Sequence, residues 1–226
     1  MAVANKVSVR IKLMDLNQID LKKTGVLFFD LLNGYYHEAS ESAKLRKKPM
    51  VDNATFLMRS ARTTGLPIFF AYGNHRPDLA TSALMLTDTN NALQPWPNGI
   101  VRKMRLPAIA GESSSQVIPE LEPQPDDYYI PKYRWSAFHQ TYLDLALRSR
   151  GIDTIIISGG STEVGVASTI YAARDLDYNL IIVRDACGSG HSDHVNDIFM
   201  ENVFPRMGRV RTTAEVLKMI QQAREL

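Results

Sequence analysis

The sequence predicts an α/β fold, a three-layer α/β/α sandwich around a six-stranded, mainly parallel, doubly wound sheet. Short and almost unbroken apolar runs alternate along the chain with segments of helical character. Solid apolar runs are typical of strands buried on both faces, and strands that alternate with helices form parallel sheets covered on both sides. Right-handed crossovers then give a doubly wound arrangement, for which we expect the strand order 3-2-1-4-5-6.

The size and composition of the chain favour one soluble domain. Its 226 residues are enough to bury a full core, and 45% hydrophobic and 22% charged residues are ordinary for a globular protein. The net charge of +2 gives no reason to expect a nucleic acid or a membrane surface as partner. We therefore expect a single domain over residues 1–226, with neither kind of partner.

The cysteine content and the apolar runs of the sequence predict where the protein is located. Its single cysteine, Cys187, excludes an internal disulfide framework and fits a reducing compartment. Residues 1–10 do not have the apolar core of a signal peptide, and no apolar run is long enough to span a bilayer. A cytoplasmic protein is the expectation.

Six apolar runs are predicted as the strands of the sheet. The first ends in a carboxylate, Asp30, and the third ends in Lys132, while Gly159 and Gly160 interrupt the fourth. Residues 1–24, before the first strand, are mixed and polar and predict an arm or a short edge element. The six predicted strands cover residues 26–30, 67–72, 128–132, 154–158, 180–185 and 208–212.

Capping residues and glycine stops predict helices between the strands. After a loop over 31–48, a helix is expected to open at Asp52 or Asn53 and to end before Gly65. The proline-rich stretch 73–125 is too long for a plain connection, so it is predicted as an insertion with some short helices that shapes the active site. The remaining helices are expected over about 141–149, 162–175, 192–204 and 214–224.

The stretch 153–175 combines a strand, a glycine break and a helix start. Ser161 or Thr162 can cap this helix, and Glu163 in its first turn suits the helix dipole. The arrangement places backbone N–H groups at the carboxyl edge of the sheet, where open α/β proteins bind ligands. When this stretch is taken alone, an ordinary strand-to-helix turn is the preferred interpretation.

Two oppositely charged side chains are predicted at this same edge. Asp30 follows the first strand and Lys132 ends the third, and opposite charges at short range hold each other ionised. A carboxylate there could act as a general acid or base. On spacing alone, a structural ion pair or a solvated strand end is the simpler interpretation.

The segment 132–139, Lys-Tyr-Arg-Trp-Ser-Ala-Phe-His, changes that balance. It resembles the isochorismatase-like hydrolase superfamily, whose third strand ends in a lysine followed closely by Ser-Ala-Phe. The resemblance extends from the first strand with its terminal Asp30 to the closing run at 211–217. Most members of that superfamily are cysteine hydrolases that act on amides or carbamoylated amines. Their triad resembles Asp30, Lys132 and a cysteine in the first turn of the helix after strand four.

This chain departs from the resemblance at the nucleophile, because Gly165 occupies the position of the cysteine. A thiolate mechanism of the usual form is therefore not available there. Cys187 follows strand five and is expected to be a buried structural thiol. Isochorismatase proper and its relatives also carry glycine at this position, and the run 117–127 is similar to that branch.

The resemblance to that branch implies hydrolysis of a vinyl ether. Asp30 would protonate the CH₂ carbon of an enolpyruvyl ether, water would add, and pyruvate would be released. Lys132 would orient Asp30 and help to bind a substrate carboxylate. The substrate would be a small carboxylated molecule, and we expect no cofactor.

Further substrate-binding candidates surround these residues in the sequence. Gly160 would form a non-proline cis peptide with Ser161 by resemblance, while Ser161 and Thr162 are expected to cap the helix rather than act as nucleophiles. Cationic side chains could bind the substrate carboxylates, and aromatic side chains could line the pocket. Each arginine, however, is more simply explained as a solvated surface residue, and the tryptophan equally well as part of the core. They are Arg76, Arg102, Arg105, Arg134, Tyr35, Tyr36 and Trp96.

The histidines do not predict a metal site. Nicotinamidases of the superfamily carry an Asp-x-His pair near the second strand, whereas this chain has only His75 in that region. His191 and His194 have a His-x-x-His spacing without a third ligand. We expect no catalytic metal.

Two other functions stay open on the sequence alone. One is hydrolysis of an amide or related C–N bond by water that Asp30 activates directly. The other is a catalytically inactive domain that binds a small acid. A homo-oligomer, a dimer or tetramer, is expected from the resemblance alone.

Overall fold

The computed structural model describes residues 16–82, 84–85, 102–103 and 108–225. Its main sheet has six parallel strands in the order β3-β2-β1-β4-β5-β6, which confirms the predicted fold class and strand order. The strands are β1 (Thr24–Phe29), β2 (Ile68–Gly73), β3 (Tyr128–Lys132), β4 (Thr154–Gly160), β5 (Asn179–Gly188) and β6 (Arg209–Arg211).

In the described residues, five α-helices cover the two faces of this sheet. They are α1 (Glu41–Thr64), α2 (Leu143–Ser149), α3 (Ala167–Asp175), α4 (Asp193–Ile198) and α5 (Thr213–Arg224). Wide π-helical turns precede α3 at Thr162–Val166 and follow α4 at Phe199–Val203. Within the described part of the chain, none of the helices has the length and apolar character needed to cross a bilayer.

The predicted start of the first helix is wrong, because α1 begins at Glu41 rather than at Asp52 or Asn53. The Ser40 hydroxyl caps it by accepting a hydrogen bond from the Ala43 N–H at 3.3 Å. Its first turns bury no side chain, so the sequence there carries no apolar period to mark a helix. Pro49 also lies within it, a residue that ordinarily argues against a helix interior.

Two cores form because successive strand residues face opposite sides of the sheet. Leu27 and Phe29 of β1 pack on one side, together with α2 and α3, while Val26 and Phe28 pack on the other side with α1 and α5. All four of these side chains are at most 1% exposed. Burial on both faces explains the solid apolar runs of the sequence.

The parallel arrangement brings every carboxyl strand end to one edge of the sheet. Asp30 follows β1 there, beside the ends of β2 and β3. The insertion returns to the same edge, because His75 forms a bridge with Ile109 and Leu32 forms one with Val117. Its described part also contains a short antiparallel ribbon, Leu84–Met85 with Arg102–Lys103, and two 3-10 turns, Ser113–Ser115 and Pro119–Leu121.

We predict that Arg62 on α1 is a main anchor of the segment before β3. It forms an ion pair with Asp127, whose side chain is 3% exposed, and Nη2 donates to Asp127 Oδ2 at 2.9 Å and to the Glu122 carbonyl at 3.1 Å. Arg62→Met leaves the buried Asp127 carboxylate without its ion-pair partner. It should lower the free energy of unfolding, measured in urea, by about 1.5–3 kcal/mol.

Arg59→Met provides the matched control from the same helix. Arg59 pairs with Glu122 at 3.4 Å, but both side chains are more than half exposed, so the loss should stay below about 0.5 kcal/mol. Equal effects of the two substitutions would contradict the anchoring role of Arg62.

Candidate active site

A buried ion pair between Asp30 and Lys132 lies at the carboxyl edge of the sheet. Lys132 Nζ donates to Asp30 Oδ2 at 2.6 Å, and the two side chains are only 8% and 12% exposed, respectively. Little water screens a pair in this position, so the attraction between the charges is strong. The structure thus brings together the two residues for which the sequence predicted catalytic roles.

The backbone around Asp30 aims its carboxylate at the neighbouring strands. Asp30 adopts a left-handed conformation with φ 48°, and its N–H donates to the Ala71 carbonyl at 2.8 Å. Its Oδ1 accepts a hydrogen bond of 3.0 Å from the Gly73 N–H at the end of β2. A side chain at Gly73 would collide with Ala108, since an added Cβ would lie 2.7 Å from the Ala108 Cβ. Asp30 therefore accepts one hydrogen bond from β2 and one from β3.

Phe29, the residue before Asp30, contacts the ammonium group of Lys132. Lys132 Nζ lies 4.5 Å from the centroid of the Phe29 ring, within the range of a cation–π interaction. The ring is 1% exposed and belongs to the core cluster beneath α3. Lys132 is thus held between an aromatic face and a carboxylate.

Gly165 lies against the same ring, in the first turn of the helix after β4. A Cβ added to Gly165 would come within 2.2 Å of Phe29 Cε1 and 2.4 Å of Phe29 Cζ. A cysteine or serine at this position would therefore overlap the ring. The space beside Gly165 is filled by Phe29, a partner that the sequence interpretation missed because strand position alone does not indicate which residues a ring will contact.

The turn between β4 and α3 has the cis peptide between Gly160 and Ser161 that the resemblance implied. Gly159 has φ 130°, and an added Cβ would lie 2.0 Å from the Phe29 carbonyl oxygen, so only glycine allows this approach of the two strands. The glycine pair that appeared in the sequence as a strand break lies inside β4 in the structure.

The expected capping role of Ser161 and Thr162 is wrong. Neither hydroxyl caps the helix; Thr162 Oγ1 donates instead to Asn196 Oδ1 at 2.7 Å. The wide first turn is closed by the main-chain oxygen of Ser161, which accepts from the N–H groups of Val164 and Val166. A turn of this width places the hydroxyls away from the N–H groups that a regular helix start would offer them.

Glu163 in this turn contacts the loop after β5. Its Oε1 accepts a 3.1 Å hydrogen bond from the Gly190 N–H, whereas its buried Oε2 has no hydrogen-bond partner. The sequence assigned Glu163 only an interaction with the helix dipole. The structure adds a link between the turn and the loop beyond β5.

Thr169 connects two motifs of the sequence. The Ala137 N–H, in the Ser-Ala-Phe motif after β3, donates to Thr169 Oγ1 at 2.9 Å, and Thr169 Oγ1 donates to the Gly165 carbonyl at 2.7 Å. The hydroxyl therefore ties the segment after Lys132 to the turn that carries Gly165. Sequence reasoning missed Thr169, since a threonine in a predicted helix carries no signal of such a link.

Tyr35 lies near the ion pair, while Tyr36 faces elsewhere. Burial, followed by the negative charge of Asp30, raises the pKa of Tyr35, so its hydroxyl stays protonated as a possible donor. Burial and the neighbouring Glu120 raise the pKa of Tyr36, which packs on the core beneath α1. Of the two predicted pocket tyrosines, only Tyr35 is coupled to Asp30.

The described arginine candidates are engaged in local contacts. Arg76 is exposed and pairs with Asp78 at 2.8 Å. Exposed Arg134 donates to the carbonyls of Thr81 and Tyr133 at 2.9 and 2.6 Å. The Arg102 side chain, Arg105 and Trp96 lie outside the described residues.

His75 is buried close to the ion pair. Burial and the positive charge of Lys132 lower its pKa, and Nδ1 lies 3.5 Å from the Thr81 hydroxyl. His191 and His194 are exposed beyond β5. Across the described ranges, histidine, cysteine and acidic side chains form no group of three or more that could hold a metal ion.

Cys187 is part of β5, whereas the sequence placed it after that strand. Its Sγ lies 3.8 Å from the Ile157 carbonyl, and burial raises the pKa of the thiol to about 12. A structural thiol was the expectation, and a group so reluctant to ionise is a poor nucleophile.

A cleft of about 450 Å³ opens beside β2 and β3, and neither Asp30 nor Lys132 is among the residues that line it. Tyr72 and Asn74, which flank the Gly73 donor to Asp30, line it together with Tyr129 of β3. The cleft is large enough for part of a small-molecule ligand. It lies between β2, β3 and the described end of the insertion.

A family model described as the isochorismatase domain matches residues 24–215. The chain is 31% identical over 214 residues to an uncharacterised isochorismatase family protein of Bacillus subtilis, covering 92% of this chain and 100% of the relative. It is 25% identical to a ureidoacrylate amidohydrolase of Pseudomonas savastanoi over 80% of this chain and 77% of that protein.

Solved structures show the same fold. An isochorismatase family protein from Burkholderia thailandensis superimposes with a TM-score of 0.73 at 26% identity, covering 92% of this chain and 100% of that one. A cysteine hydrolase from Pseudomonas syringae superimposes with a TM-score of 0.70 at 25% identity, over 91% and 95% of the two chains.

We predict that iodoacetamide leaves Cys187 of the folded protein unmodified at pH 8. With a pKa of about 12, only roughly one thiol in ten thousand is ionised at this pH. Mass spectrometry of the cysteine peptide should detect labelling after unfolding in urea but not before. Rapid labelling of the native protein would contradict the buried position of this thiol.

The lowered pKa of His75 predicts a loss of stability in mild acid. The pKa of His75 in the unfolded chain is about 6.5, and its pKa in the folded protein is lower. As the pH drops from 7.5 towards 5.5, the unfolded chain therefore binds a proton more readily than the folded protein does, and the free energy of unfolding falls. His75→Gln should reduce this fall, measured as the difference in Tm between the two pH values. His194→Gln, at an exposed position, is the control and should leave the fall unchanged.

Proposed function

The chain belongs to the isochorismatase family of hydrolases, and we propose that it hydrolyses the vinyl ether of an isochorismate-like substrate without a covalent intermediate. The observation that carries the proposal is the contact between Gly165 and the Phe29 ring. Residue 165 has no nucleophilic atom, and the space for one is filled. Asp30 is the residue we propose to transfer the protons.

Vinyl ether hydrolysis suits a site of this composition. A protonated Asp30 gives its proton to the CH₂ carbon, and the ether carbon becomes an oxocarbenium ion. Water adds to that carbon and returns a proton to the Asp30 carboxylate. In the resulting hemiketal the bond between the former ether carbon and the ring oxygen breaks while the hydroxyl proton passes to that oxygen, which yields pyruvate and a ring hydroxyl. Each step needs only an acid–base group and water.

Lys132 couples substrate binding to this proton transfer. In the free protein its ammonium lies 2.6 Å from Asp30 Oδ2 and forms an ion pair with it. A substrate carboxylate bound at Lys132 would compete with Asp30 for the same ammonium. The protonated Tyr35 hydroxyl nearby is available to orient the substrate.

Hydrolysis of a C–N bond is the second candidate. The relative from Pseudomonas savastanoi is named a ureidoacrylate amidohydrolase. In this reaction Asp30, which accepts hydrogen bonds from Lys132 and the Gly73 N–H, would act as the base that activates water. Amides, however, are poorly reactive towards water, and their hydrolysis gains most from a nucleophile that residue 165 does not offer. We therefore place this reaction second.

The remaining features of the proposal follow from sequence and resemblance. The substrate is a small carboxylated molecule, and the protein acts without a cofactor. A cytoplasmic location and a homo-oligomeric state stay predictions. A binding domain without activity is the third possibility, in which Asp30 would serve only the fold.

The decisive assay measures two products from one protein preparation. We expect pyruvate release from isochorismate, read with a coupled dehydrogenase, and a loss of at least about 100-fold in Asp30→Asn. Asp144→Asn, at a half-exposed carboxylate on α2 that pairs with Arg148, is the control and should keep the wild-type rate.

The outcomes separate the three functions. Ammonia release from ureido or amide substrates that depends on Asp30, without pyruvate release, would replace the first reaction by the second. Binding of isochorismate without either product, equal in the wild type and Asp30→Asn, would leave only a binding domain.

A further inference from the structure

We propose that Phe29 determines the reaction type of this site, by filling the space that a nucleophile at position 165 needs while positioning Lys132 against Asp30. This inference deepens the proposed function and rests on it for the catalytic role of the ion pair. The packing part depends on the structure alone. The two parts are therefore tested separately.

The Phe29 ring contacts both halves of the site. One edge of it, Cε1 and Cζ, lies 2.2–2.4 Å from where a Cβ at Gly165 would stand. Its face lies 4.5 Å from Lys132 Nζ. Phe29 also adjoins Asp30 in the chain, so one residue borders the acid, the lysine and the position of the missing nucleophile.

The ring has no easy way to move aside. It is 1% exposed in the core beneath α3, and its backbone is paired on both sides, with Ala71 of β2 and Gly159 of β4. Close-packed surroundings make such a displacement costly. A ring that moved away from position 165 would also leave the ammonium of Lys132 without its aromatic face.

Phe29 and Gly165 therefore act as one unit. The ring and the glycine fit each other, and either residue restricts what the other can be. A single exchange of Gly165 for cysteine does not convert the site to thiol chemistry, because the ring excludes the new side chain. Conversion requires a smaller residue at position 29 as well.

The packing test compares the cost of Gly165→Cys in three backgrounds. In the wild type we expect Tm to fall by about 5–10 °C, as is typical of overpacking a core. In Phe29→Val the same substitution should cost less than about 2 °C, because the ring is gone. Phe69→Val truncates another fully buried phenylalanine of the same cluster and should not relieve the cost.

The rate at which iodoacetamide labels the introduced cysteine provides a second test with the same variants. Iodoacetamide alkylates a thiolate by forming an S–C bond and releasing iodide, and peptide mass spectrometry separates the introduced thiol from Cys187. We expect labelling at least about tenfold faster in Phe29→Val/Gly165→Cys than in Gly165→Cys. If Gly165→Cys does not fold, Gly165→Ala places the same Cβ against the ring and replaces it in the thermal comparison.

The packing part is overturned if Gly165→Cys costs the same Tm in the Phe29→Val and Phe69→Val backgrounds. It is equally overturned if the thiol introduced by Gly165→Cys alone reacts as fast as in the double variant. Neither measurement needs a substrate, so they decide the packing even if isochorismate is not hydrolysed.

The positioning of Lys132 is tested by measuring kcat and KM of single variants that retain Gly165. We expect Phe29→Val to lower kcat by about 5–30-fold with KM within about twofold, since the ammonium loses its aromatic face but still meets the substrate. Phe69→Val, with a comparable loss of core volume, should keep kcat within about twofold. Equal losses of kcat in both variants would overturn the positioning role and leave Phe29 as core packing.

Discussion

The buried ion pair of Asp30 and Lys132 is the interaction on which the candidate site depends. The two residues are 102 positions apart in the chain, yet their side chains meet at 2.6 Å. The parallel sheet makes this possible, because β2 lies between β1 and β3 and all three end at one edge. The Gly73 N–H at the end of β2 adds its own hydrogen bond to Asp30. Three adjacent strands therefore converge on a single carboxylate.

Phe29 links this ion pair to the other half of the sheet. Its ring faces Lys132 and abuts Gly165, while its backbone carbonyl lies against Gly159 of β4. Thr169 adds a polar connection between Gly165 and the segment that follows Lys132. The catalytic candidates are thus held by both the first and the fourth strand, which is the switch point where doubly wound sheets bind ligands.

The chemistry that we propose follows from what this packing permits. At position 165 this chain has a glycine whose Cβ space is filled by the aromatic ring of Phe29. The one native thiol, Cys187, is buried in β5, where burial raises its pKa to about 12. An acid–base reaction through Asp30 uses the groups that the site has, and the charge of Lys132 links that reaction to a carboxylated substrate.

The sequence by itself determined the fold class, the strand order and the two charged residues at the strand ends. Solid apolar runs and glycine stops predict the strands and helices locally, right-handed crossovers predict the doubly wound sheet, and the Ser-Ala-Phe motif identified the family resemblance. Local sequence signals failed to predict the features that depend on contacts between distant parts of the chain. The polar first turns of α1, the hydrogen bond from Thr162 to Asn196, and the link through Thr169 leave no mark in a sequence pattern. Only the tertiary structure decided that Phe29 would meet Gly165 and Lys132, because the direction of a ring is set by packing among strands distant in the chain.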